Sequence, residues 1–149
     1  GNANRFHFPE PKVAGYDFSF SGLKTSILYF LRDKKKKNEN FIAENLNDIC
    51  ASIQDRIVSI LLNKLEKAAT DLNISELSIA GGVSANSHLR KKFEELCAKR
   101  KWNCYIPKFE YCTDNAAMIA MVGHYKFLEK DFSEQSVVPK ARLPIATHF

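Results

Sequence analysis

The sequence lacks any apolar run of the roughly 20 residues that a membrane-spanning helix needs. Its first residues, Gly1 to Arg5, also lack the apolar region of a secretory signal. We therefore expect a cytoplasmic protein without membrane contact. The net charge of +5 is compatible with a polyanionic partner, but it favours nucleic acid only weakly because many other proteins are equally basic.

Cysteine and histidine pairs of the kind that hold metals are also missing. No C-x-x-C pair occurs, so we expect free thiols in a reducing compartment rather than a disulfide or structural zinc. The histidines form neither H-x-x-x-H nor H-E-x-x-H, and there is no G-x-S-x-G nucleophile turn. We therefore assign no catalytic side chain. The residues concerned are Cys50, Cys97, Cys104, Cys112, His7, His88, His124 and His148.

The composition predicts one domain over residues 1–149, because 45% hydrophobic and 26% charged residues are typical of a folded chain with one core.

In the first half of the chain, residues 17–21 alternate polar and apolar, which predicts a short strand that ends at Gly22. Residues 23–31 form a predicted helix. Residues 34–37 are four lysines, either a solvated loop tip or a contact to a phosphate backbone. Apolar residues recur at helical spacing from Ile42 to Ala68, which predicts a long core helix.

The second half predicts a strand at 77–80, a Gly81-Gly82 turn, a helix to about Arg100 and a strand at 102–106. Strand, helix and strand in succession favour a parallel crossover unit. A last helix is predicted at 114–128, capped by Thr113 or Asp114. The fold class is therefore α/β with a small, mainly parallel sheet.

The double glycine is a candidate phosphate site. The first amides of a helix lack intrahelical partners, and glycine lets an anion approach them. The local sequence is neither G-x-G-x-x-G nor a phosphate loop, and glycines in such turns often serve packing instead. Asn86 either caps the helix or reaches a ribose or phosphate oxygen. Asp114 is either a cap or one ligand of a metal.

Three sequence motifs add to this interpretation of the candidate site residues. They are residues 17–25, residues 80–86 followed by Leu89-Arg90, and residues 111–120. In this order they resemble the carboxy-terminal part of the TsaD family, the tRNA adenosine threonylcarbamoyltransferases, over a range from about Arg5 to Leu143. That family is similar in fold to the actin, hexokinase and Hsp70 ATPases (ASKHA). The resemblance implies that this chain is a helix-rich fragment of that two-lobed fold.

The resemblance also implies a function. Members transfer threonylcarbamoyl from threonylcarbamoyl-AMP to N6 of an adenosine in the tRNA anticodon loop, together with partner proteins of the TsaB and TsaE type. In this chain Gly81 and Gly82 would line the nucleotide and Asn86 would contact the adenylate. Asp114 would be one ligand of an iron or zinc ion.

The chain departs from the family pattern. It has no counterpart of the H-x-x-x-H pair that supplies the other metal ligands in the family, and its first residue is Gly1 rather than Met. We therefore expect a fragment that lacks transfer activity alone. We also expect self-association, because so small a sheet leaves apolar surface to cover.

Two other functions remain open at this stage. One is a non-catalytic module that binds protein or RNA, with Arg90, Lys91, Lys92, Lys99, Arg100 and Lys101 either touching RNA or forming a solvated helix face. The other is endopeptidase activity, which an old family label, O-sialoglycoprotein endopeptidase, suggests. The residues hardly support it, since neither a metalloprotease helix nor a catalytic triad is visible.

Overall fold

The computed structural model describes residues 1–139 and 141. The chain forms two compact units, Gly1–Cys112 and Thr113–Phe149. The single domain of residues 1–149 stays a prediction. Leu143, the end of the family resemblance, and His148 lie outside the described residues. Within them, no helix combines the length and the apolar character needed to cross a membrane.

The first unit begins with two helices, α1 (Ser21–Lys37) and α2 (Phe41–Asp71). The predicted strand at 17–21 is wrong, because residues 17–20 pair with no strand in the described part of the chain and Ser21 already starts α1. The alternation there reflects Phe18 and Phe20, whose rings stack on each other with centroids 6.2 Å apart. Gly22 accordingly lies inside the helix rather than at a strand end.

The lysine run is helical. The predicted loop tip at 34–37 is wrong, since α1 continues through all four lysines and ends at Lys37. Lysine has good helix propensity, and positive charge is favourable at the carboxyl end of a helix, where the backbone carbonyls lack partners. These lysines therefore stabilise the end of α1.

The long core helix is confirmed as α2. Its buried Ile60 packs with Phe8 and Leu23, so the extended amino-terminal segment and α1 share one core with α2. Partly buried apolar side chains surround this cluster: Phe6, Ile27, Phe30, Ile53 and Ile57.

The crossover unit is confirmed. Strand β1 (Glu76–Ser78), helix α3 (Ser87–Arg100) and strand β2 (Asn103–Tyr105) follow in order, and β1 pairs in parallel with β2. The register places Leu77 opposite Cys104. A second core joins β1, α2 and α3, through Ala69, Leu77, Phe93 and Cys97. The predicted α/β class, rich in helix with a small parallel sheet, is confirmed.

The second unit contains helix α4 (Ala116–Leu128). The cap predicted at Thr113 or Asp114 is wrong, because the Asn115 side chain accepts the hydrogen bond from the Met118 amide. All three residues have side chains that can cap a helix, and only the backbone decides which one does: Asn115 has the extended φ of −152° that suits this position.

Candidate nucleotide site

The double glycine follows β1 at the carboxyl edge of the sheet. Gly81 has φ +78° and ψ 176°, a conformation that is essentially restricted to glycine. Gly82 then begins a 3₁₀ helix, Gly82–Ala85, and α3 starts only at Ser87. The predicted order of strand, turn and helix is present, but a 3₁₀ helix separates the double glycine from α3. The glycine amides belong to a separate short turn, and not to the first turn of α3.

Ser84 closes this turn. Its backbone N–H and its hydroxyl both donate to the Gly81 carbonyl, over 2.9 and 2.7 Å. Its side chain is only 1% exposed, so water does not compete for these bonds. The turn is consequently held in one shape before any ligand arrives.

Gly82 has no structural reason of its own to be glycine. Its φ is not positive, and a Cβ added to it would meet no atom within 4 Å. A Cβ at Gly81 would also meet nothing, but there the backbone conformation itself requires glycine. Packing among the described residues therefore does not explain the absence of a side chain at Gly82. The backbone at Gly82 is open to close approach, because no side chain intervenes.

Asn86 caps α3, as one of its two predicted roles required. Its Oδ1 accepts from the Leu89 amide over 3.0 Å. The side-chain Nδ2 makes no hydrogen bond within residues 1–139 and 141, and Asn86 borders a cavity of about 340 Å³. The cap thus uses the oxygen of this side chain and leaves both amide hydrogens available to a ligand.

An apolar groove lies next to the turn. Val83, which is 64% exposed, lines a cavity of about 460 Å³ together with side chains of α1 and α2. The other lining residues are Phe20, Leu23, Lys24, Ile27, Ile57 and Leu61. An apolar surface beside a few fixed polar groups is the usual composition of a small-molecule site.

Arg90 is the side chain near the turn whose surroundings the sequence did not indicate. It was grouped with the exposed basic residues of α3, but its guanidinium lies partly buried among three acceptors. Nε donates to the Ser84 carbonyl over 2.6 Å, and Nη2 donates to the Pro107 carbonyl over 2.8 Å and to Cys112 Sγ over 3.0 Å. The Leu89-Arg90 pair of the second motif block was the one signal that separated it from the lysines around it.

The other basic residues of α3 are nearer the prediction of a solvated face. Arg100 pairs with Glu66, Nη2 to Oε1 at 2.5 Å, and Lys92 pairs with Glu95 at 3.3 Å. These are exposed ion pairs, which contribute little to stability.

Asp114 lies in the second unit, two residues before the first residue of α4, and is exposed. Within residues 1–139 and 141, no group of three His, Cys, Asp or Glu side chains is placed to hold a metal ion. A single carboxylate does not suffice for iron or zinc. The described residues therefore do not fit a metal on their own. The four cysteines are free thiols, and Cys97 and Cys112 are buried.

The structure thus brings Gly81, Gly82 and Asn86 together in the first unit, while Asp114 belongs to the second. The family model described as TsaD, tRNA N6-adenosine threonylcarbamoyltransferase, matches residues 1–121 of the chain, well over half its length. The chain belongs to the TsaD family.

Curated relatives with the name tRNA N6-adenosine threonylcarbamoyltransferase support this membership. The chain is 56% identical over 142 residues to one from Riemerella anatipestifer and 50% identical over 142 residues to one from Christiangramia forsetii, covering 95% of this chain in each case. It is 49% identical over 145 residues to one from Porphyromonas gingivalis, which covers 97% of the chain. In all three matches the chain spans about 42% of the relative's length.

Proposed function

We propose that this chain forms one wall of the adenylate site of a tRNA-modifying transferase, as its carboxy-terminal portion. The reaction is transfer of threonylcarbamoyl from threonylcarbamoyl-AMP to N6 of adenosine in the tRNA anticodon loop. The observation that carries the proposal is Gly82, which lacks a side chain at the carboxyl edge of the sheet although neither its backbone nor its neighbours require this. Family membership supplies the identity of the ligand.

In this proposal the turn binds the adenylate through its backbone. The amides of Gly82 and Val83 begin a 3₁₀ helix and therefore lack partners within it, so they donate to a phosphate oxygen. Asn86 donates from Nδ2 to the ribose or phosphate while its oxygen caps α3. Because Ser84 fixes the turn beforehand, little conformational entropy is lost when the adenylate binds.

Asp114 enters the proposal as one ligand of an iron or zinc ion, with the remaining ligands supplied by residues outside this chain. The described residues hold no complete metal site. The substrate tRNA, partner proteins of the TsaB and TsaE type and a cytoplasmic location belong to the same proposal. The chain alone should show no transfer with tRNA, ATP, threonine, bicarbonate and those partners.

The test of the adenylate site is Gly82→Val. The Cβ of the new side chain meets no neighbouring atom, so we expect little change in stability, but the side chain fills space over the turn and should weaken AMP binding at least about tenfold. Titration of the chain with AMP, followed by NMR of the backbone amides, gives the affinity. Gly22→Val is the matched control, because a Cβ at Gly22 also meets nothing and Gly22 lies in α1. Equal AMP affinity in both variants would contradict the proposal.

Asn86 is tested separately through its two functions. Asn86→Asp keeps the capping oxygen, so α3 should remain intact, but it loses the amide donor and places a negative charge beside the phosphate. We expect AMP affinity to fall while the free energy of unfolding changes little. Asn115→Asp, which alters the cap of α4 in the same way, should leave AMP affinity unchanged.

A non-catalytic RNA-binding module is the second candidate, favoured by the exposed lysines that end α1. It predicts tRNA binding whose affinity falls steeply with salt, together with no measurable affinity for AMP. The same titration, repeated with tRNA at two salt concentrations, separates the two functions.

A further inference from the structure

Arg90 connects the loops that follow the two strands. It lies on α3, yet its guanidinium contacts Ser84 after β1 and both Pro107 and Cys112 after β2. Parallel strands place their following loops at the same edge of a sheet, which is where ligands bind in α/β folds. We propose that Arg90 is a positioning residue: it fixes the glycine turn by tying it to the loop after β2. The functional meaning of this role rests on the proposed adenylate site.

The sheet is too small to hold these loops by itself. Each strand has three residues, so the backbone hydrogen bonds between the strands end before either loop begins. The main additional backbone link is the Ile79 amide, which donates to the Tyr105 carbonyl over 3.1 Å. Beyond that point, Arg90 supplies the side-chain contacts that join Ser84 to Pro107 and Cys112.

The chemistry of the contact requires arginine. One planar guanidinium donates in two directions, from Nε to one loop and from Nη2 to the other. Hydrogen bonds from a charged donor are stronger than neutral ones, and a lysine ammonium lacks the fixed fork that spans both loops. The Phe109 ring, with its centroid 5.8 Å from the guanidinium carbon, covers the group. Because Arg90 holds the Ser84 carbonyl, and Ser84 holds the Gly81 carbonyl, the constraint reaches the glycine turn.

The experiment compares Arg90→Met and Arg90→Lys with the control Arg100→Met. Arg100 lies on the same helix, but its guanidinium pairs with the Glu66 carboxylate and with neither loop. The first readout is the alkylation rate of Cys112 by iodoacetamide in the native chain, mapped by mass spectrometry. Cys97 serves as the internal reference, because it is equally buried but is not a contact of Arg90.

We expect Arg90→Met to raise the alkylation rate of Cys112 by about tenfold or more, with Cys97 unchanged, because local opening precedes labelling. Arg90→Lys should give an intermediate rate and should shift the amide resonances of Gly82 and Val83. Arg100→Met should do neither. If Arg90→Met unfolds the chain, Cys97 becomes reactive as well. In that case the Cys112 rate and the amide shifts of Arg90→Lys decide whether Arg90 positions the turn. Wild-type rates and amide shifts in Arg90→Lys would overturn the proposal, as would equal effects of the two Met variants.

AMP affinity distinguishes failure of this inference from failure of the proposed function. If the wild-type chain binds AMP, Arg90→Lys should weaken binding several-fold at unchanged thermal stability, which a purely structural residue would not do. If the wild-type chain does not bind AMP, the adenylate site is wrong for this chain. The Cys112 rates and the amide shifts still decide whether Arg90 positions the turn.

Discussion

Gly81 and Gly82 are adjacent glycines with different physical requirements. Gly81 needs to be glycine because of its φ of +78° with ψ near 176°, whereas Gly82 does not. We expect Gly81→Ala to lower the free energy of unfolding by about 1–3 kcal/mol, the usual cost of such backbone strain. Denaturant titration measures this, with Gly22→Ala inside α1 as the control that should be neutral or stabilising.

An unchanged denaturation midpoint for Gly81→Ala would mean that the turn adopts another conformation without a loss of free energy of unfolding. In that case the turn would not be held in one shape before the ligand binds. The adenylate proposal would then lose its argument from preorganisation, although the open space at Gly82 would remain.

Cys97 gives a prediction about pH. Burial, with a smaller contribution from Cys104, raises the pKa of its thiol from 9.0 to about 11. Between these values the unfolded chain loses this proton while the folded chain keeps it, so stability is lost as the pH rises through this window. Between pH 8 and pH 10.5 the free energy of unfolding should fall more for the wild-type chain than for Cys97→Ala. An equal fall in both would contradict the raised pKa of Cys97.

At the residue scale the sequence predicted which residues to inspect better than it predicted what they do. Asn86 was predicted either as a cap or as a ligand contact, and the cap is confirmed, because any Asn before a helix can cap it. Arg90 could not be separated from a solvated residue, since its acceptors are two backbone carbonyls and one cysteine sulfur that lie 6, 17 and 22 residues away in the sequence. Contacts of that kind leave no local pattern.

At the scale of elements, α1 makes a prediction through its lysines. Its last turn carries Lys34, Lys35, Lys36 and Lys37, which compensate the partial negative charge at the helix end. Lys36→Glu should lower the free energy of unfolding by about 0.3–1 kcal/mol at low salt. The loss should shrink at high salt because these charges are exposed.

Lys12→Glu is the matched control, because it changes the net charge equally at an exposed position outside any helix. Denaturant unfolding at two salt concentrations compares the two variants. Equal losses would mean that overall charge, rather than the position at the helix end, determines the effect.

The long helix and the strand–helix–strand unit were predicted, whereas the segment at residues 17–21 was misassigned and the 3₁₀ helix was missed. Helix α2 was predicted because its apolar face repeats over many turns. The alternation at residues 17–21 was a sound indication of extended chain, but a strand also needs a neighbour, and none pairs with this segment among the described residues. The 3₁₀ helix between Gly81 and α3 is too short to have a period.

At the scale of the whole molecule, exposed apolar surface predicts self-association. Helix α4 has charge only at Lys126, and its large apolar side chains are exposed, Ile119 to 76%. Helices that are apolar on all sides are normally covered. Sedimentation velocity at increasing concentration should show dimers or larger species.

Ile119→Lys should shift that equilibrium toward the monomer, because a charge in an apolar contact is costly to bury. The control Lys91→Ala removes an exposed charge from α3 and should leave association unchanged. A monomer at all concentrations in the wild-type chain would contradict the prediction.

The two-stranded sheet has one further consequence. Each strand pairs on one side only within the described residues, so the backbone groups along the other side of β1 and of β2 stay free to receive a neighbour. A strand added in parallel on either side would place its own following loop at the edge where Gly82 lies. A further strand could therefore pair with either edge of the sheet, and if it were parallel it would bring new side chains beside the glycine turn.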